Sequence, residues 1–124
     1  MTVTTTDPHV TLAVRSARFL FPGEAPLLAE TLVTWLNAYD RPASDAPGMV
    51  GALHYTLVNS VATFEDIARF VQEAAPLAVQ IDFPIERLLD TYASMTAHGV
   101  SGDIAEKQLL ESLENDPEIE KAGD

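Results

Sequence analysis

The chain has 124 residues, 47% of them hydrophobic, and a formal net charge of -12 from 19 acidic and 7 basic side chains. That size fits one domain burying roughly two thirds of the surface its unfolded chain exposes, which argues against wholesale disorder, and no run approaches the roughly 18 apolar residues of a membrane span. Zero cysteines exclude disulfides, thiol nucleophiles and cysteine-ligated metals, and the acidic excess opposes direct binding of nucleic acid or anionic membranes, both of which favour a basic face.

Met1 to Asp7, MTVTTTD, carries neither the basic patch nor the apolar run of a secretion signal, so the cytoplasm is the expected compartment. Asp7-Pro8 then reads as an N-cap followed by proline at the first helical position. Val10, Ala13, Val14, Ala17, Leu20 and Phe21 fall on one face of a helix that Pro22-Gly23 stops. A strand is the rival for Val10, Leu12 and Val14, but the alternation fails at Ser16 and Arg18.

Glu24 to Tyr39 repeats the helical period through Leu28, Leu32, Trp35, Leu36 and Tyr39. Arg41 to Gly48, with two prolines and a glycine, reads as a loop. Met49, Val50, Leu53, Leu57 and Val58 suggest a third helix. Thr63-Phe64-Glu65-Asp66 resembles a capping box opening a fourth, through Ile67, Phe70, Val71 and Ala74, with Glu65, Arg69 and Glu73 alternating on its outer side.

Residues 76–83, PLAVQIDF, fit a buried turn, a short strand or a helical continuation equally well. Asp82 reads as the cap of a helix from Pro84 to His98 whose face is Ile85, Leu88, Leu89, Tyr92 and Met95, and Gly99 ends it. Ser101 or Asp103 caps a last helix through Ile104, Leu109, Leu110 and Leu113. The expectation is an all-α single compact bundle of five or six short helices, residues 1–115, with an acidic C-terminal tail over 116–124. From Asp103 onward eight acids face Lys107 and Lys121, which is half of the net charge.

Sequence motifs for dinucleotide, phosphate, zinc-protease and calcium sites are absent, and Gly99-Val100-Ser101-Gly102 lacks the spacing of a nucleophile elbow. His9, His54 and His98 are too far apart in sequence for a local metal pair. No catalytic residue, cofactor or metal is therefore expected. The sharpest constellation is Asp82, Glu86 and Asp90, which one helix would stack along an edge at roughly 6 Å intervals.

That edge, with Glu106, Glu111 and Glu114 on the last helix, reads as a partner-binding surface for a basic protein or complex. Such an interaction module would act as inhibitor, adaptor or assembly factor, conceivably by imitating the phosphate charge of nucleic acid. One alternative is a small helical enzyme or ligand-binding protein with a pocket lined by Trp35, His54, Tyr55 and Tyr92. A further alternative is a homo-oligomeric structural subunit with an exposed apolar patch.

Overall fold

Asp7 accepts a hydrogen bond from the His9 amide at 2.8 Å and Pro8 takes the first helical position, so the first helix starts where the sequence places it. The computed structural model describes residues 2–115; the acidic tail expected over 116–124 lies outside them. Helix α1 is Pro8–Ser16, α2 Ala25–Ala38, α3 Ala46–Asn59, α4 Phe64–Gln80, α5 Ile85–Ala97 and α6 Gly102–Asn115, with a 3₁₀ turn at Ala43–Asp45. Together they form a compact six-helix bundle with no strand among the described residues.

The first helix ends five residues before the expected stop. Beyond Ser16 the chain tightens, Leu20 and Phe21 donating to the Ala17 carbonyl at 2.9 and 3.1 Å. This turn carries the Phe21 ring inward onto Phe64, 4.7 Å between centroids, and leaves Phe19 and Leu20 in solvent. The segment before α1 is anchored by Asn37: its Oδ1 accepts from the Val3 amide at 2.7 Å and its Nδ2 donates to the Val3 carbonyl at 2.9 Å.

The expected loop over Arg41–Gly48 is shorter than the prolines suggest. Pro47 falls in the first turn of α3, where a missing N–H costs no intrahelical bond, and the helix already begins at Ala46. Helix α4 opens with the expected capping box, Thr63 and Asp66 each accepting from the other's amide. It continues through Pro76 to Gln80, so residues 76–83 are helix followed by a turn. Ile67, Ala68, Phe70, Val71, Ala74, Ala75 and Ala78 are all buried. The small alanines among them let neighbours approach closely, and α4 packs against α2, α3, α5 and α6.

Three helices share one ending. At the end of α2 the Arg41 amide donates to Leu36 and that of Asp40 to Asn37; after α4 Phe83 donates to Ala78 and Asp82 to Val79; after α5 Val100 donates to Met95 and Gly99 to Thr96. Each is the paired pattern of a Schellman motif, with its hinge residue in the left-handed region: Asp40 at φ 50°, Asp82 at 54°, Gly99 at 98°. Asp82 therefore terminates α4 and does not cap α5, whose N-cap position is Pro84. Ser101 does cap α6, its Oγ accepting from the Ile104 amide at 3.3 Å.

Candidate functional site

The turn at Asp82 breaks the carboxylate row expected along one helix. Asp82 lies outside α5, while Glu86 and Asp90 remain one turn apart on it, both exposed. Glu86 reaches across to Arg41 at 3.6 Å, and Arg41 also holds Asp45 at 2.8 Å. On α6, Glu111 and Glu114 stand free in solvent whereas Glu106 is turned inward.

Glu106 belongs to a cluster around Arg69. The guanidinium bonds Asp66 at 3.0 Å, Asp103 at 3.1 Å and Glu106 at 3.2 Å, joining α4 to α6. Its partners are one turn back and across the helix interface, in place of the expected alternation with Glu65 and Glu73. Burial pushes the Glu106 carboxyl up in spite of the facing Arg69, with Glu73 and Asp103 adding to the rise. Beneath the cluster the Tyr92 hydroxyl is buried without a hydrogen-bond partner. Burial, then the charges of Asp66 and Glu106, push its pKa to about 12.

The four residues expected around a pocket are divided between interior and surface. Trp35 and Tyr92 are core side chains, Tyr92 stacking on Phe70 at 4.8 Å. His54 is half-buried with its ring edge-on to Phe21, and Tyr55 is 62% exposed. Tyr39, read with Trp35 as one stripe, is half-buried, and its hydroxyl donates to the Phe83 carbonyl. Burial, with Glu86 and Asp82 nearby, pushes its pKa to about 12. His98 Nδ1 donates to the Ser94 carbonyl at 2.7 Å, and His9 is exposed on α1. Among the described residues no group of three or more His, Asp or Glu side chains is arranged to hold a metal ion.

A different surface emerges at α1. Leu12, Ser16 and Leu20 from α1 and its following turn face Pro47 and Val50 of α3 across an apolar groove of about 260 Å³. Phe19, next to Leu20 in the chain, is 81% exposed, with the Arg18 guanidinium over its ring at 4.9 Å. Leu12 is 62% exposed. The sequence reading assigned Leu20 to the core, used Leu12 only in the rival strand alternation and gave Phe19 no role. A signal was present: residues 8–23 contain no acid in a chain of net charge -12, yet carry Arg15 and Arg18.

Among the described residues the arrangement spreads exposed acidic, basic and apolar side chains over several helices. No helix among the described residues is long and apolar enough to cross a membrane. Compared with curated proteins and with solved structures, the chain shows no significant similarity to any. The family model described as phage-related minor tail protein matches residues 20–122, which takes in α2 to α6. With most of its length matched, the chain belongs to the phage-related minor tail protein family.

Proposed function

We propose that this bundle is a structural subunit that works by packing against other protein surfaces, its own copies included, and performs no chemistry. The observation that carries the reading is the family match over residues 20–122. Among the described residues Leu12 and Leu20, exposed side by side along one apolar groove, agree with it. The acids Glu86, Asp90, Glu111 and Glu114 steer partner choice by docking toward basic surface, while the apolar groups supply affinity.

The test is the mass of the full chain in solution, by light scattering over rising concentration. Species heavier than the 13.4 kDa monomer are expected and should grow with concentration. A single monomeric species up to the solubility limit overturns the reading.

A further inference from the structure

We propose that copies of this chain join head to tail, the apolar groove between α1 and α3 of one copy receiving the outward face of α6 from the next. This rests on the structural-subunit reading and deepens it by naming the two surfaces that meet.

The groove side is apolar and positive. Leu12, Phe19 and Leu20 are exposed within nine residues, Leu12 and Leu20 lining a groove floored in part by Pro47 and Val50. Arg15 and Arg18 belong to the same segment, both exposed, Arg18 with its guanidinium over the Phe19 ring, and neither makes an ion pair among the described residues. Of the other arginines, Arg41 and Arg69 pair with carboxylates, while Arg87 lies over the Phe83 ring at 5.4 Å as Arg18 lies over that of Phe19 at 4.9 Å. In a molecule of net charge -12, a stretch with two unpaired guanidinium groups and no acid is a local positive field that selects an acidic surface.

The α6 side is its complement. Ile104 is 51% exposed, and Lys107, Gln108 and Glu111 follow at i+3, i+4 and i+7, all exposed, so they share one face of the helix on which Glu111 and Glu114 outnumber the single lysine. Glu114 stands exposed near its end. Placed in the groove, that face would cover Ile104 with Leu12 and Leu20 and set Glu111 and Glu114 toward Arg15 and Arg18.

Charge disfavours a symmetric groove-to-groove pair. Two grooves placed face to face would oppose each copy's Arg15 and Arg18 to their own equivalents, which like-charge repulsion disfavours. The two complementary surfaces also lie on different parts of the bundle: α1 packs on α2 and α3, whereas α6 packs on α4 and α5.

The experiment compares the full chain with two double variants, Arg15→Glu with Arg18→Glu, and Glu111→Lys with Glu114→Lys, by sedimentation and light scattering. All four side chains are exposed, and circular dichroism checks that helix content is kept. Each variant alone sets like charges against each other at the contact, and its association midpoint should rise at least about tenfold in concentration. Mixed in equal amounts, the two variants pair Glu with Lys and Arg with Glu at alternating contacts, so assembly should return. A third variant, Leu12→Ser, should weaken association without altering charge. If the wild type assembles and both charge variants assemble equally well, the proposed contact is overturned and the structural-subunit reading stands. If the wild type remains monomeric, both fall.

Discussion

At Gly102 a single methyl group decides whether α6 can begin where it does. A Cβ built there would stand 2.9 Å from the Tyr92 hydroxyl oxygen and 3.3 Å from Asp66 Oδ2, inside normal contact distance. Gly102→Ala should therefore destabilise the fold by about 1–3 kcal/mol, the usual cost of overpacking. Tyr92→Phe should be neutral or stabilising, because it deletes a buried hydroxyl that has no partner. In the double variant most of the Gly102→Ala cost should vanish, and urea unfolding of the four proteins measures the coupling; strictly additive effects would show that the hydroxyl is not what the methyl meets. The phenol pKa near 12 has a linked consequence. A folded value above the unfolded value of about 10 gives stability that is present below pH 10 and lost as pH rises toward 12, and Tyr92→Phe should lessen that alkaline loss. None of this was legible in the sequence, since Gly102 and Tyr92 meet only after α5 and α6 have packed.

The helix boundaries show which local signals suffice. Asp7-Pro8, Thr63 to Asp66 and Gly99 each perform the capping role their chemistry suggests, because those bonds close within a few residues and need no tertiary partner. Asp82 misled because aspartate serves both as an N-cap and, less comfortably, as a left-handed terminator. With four residues, Ile81 to Pro84, between α4 and α5, Asp82 sits where the Schellman hydrogen bonds of α4 need it and two residues short of the N-cap position of α5. Asp40 and Asp82 both carry backbone strain there and place negative charge at a helix C-terminus, where the dipole opposes it. Replacing either by glycine should raise stability by about 0.5–1 kcal/mol, after allowing for the greater freedom of the unfolded glycine. Thermal unfolding checks it, and a fall in midpoint for both variants would mean that each aspartate side chain makes a compensating interaction. At α1 the periodicity identified Val10, Ala13, Ala17 and Phe21 as core but could not show the turn after Ser16, which is set by the packing of Phe21 on Phe64.

For the whole molecule, a net charge of -12 on 124 residues makes self-repulsion a general load on the compact state. Its ion pairs sit at partly exposed side chains, where each contributes about 0–1 kcal/mol. Screening should therefore relieve more repulsion than it removes attraction. The melting temperature is expected to rise by a few degrees from about 0.01 to 0.5 M salt, as the screening length falls from about 30 Å to a few ångströms; a fall would mean that ion pairs such as those of Arg69 outweigh the general repulsion. The bundle and its negative exterior were legible from period and composition. The groove was not, because it depends on how α1 lies against α3 and on which way one turn exposes Phe19. The separate placement of α1 and α6 carries its own consequence. In the proposed contact, a copy that has used its groove still offers a vacant acidic helix, and one that has used that helix still offers a vacant groove, so growth stops at two members only where two copies exchange both contacts reciprocally. Unless the repeating rotation happens to close a ring, a row of such subunits stops only where supply runs out or some other protein plugs its end.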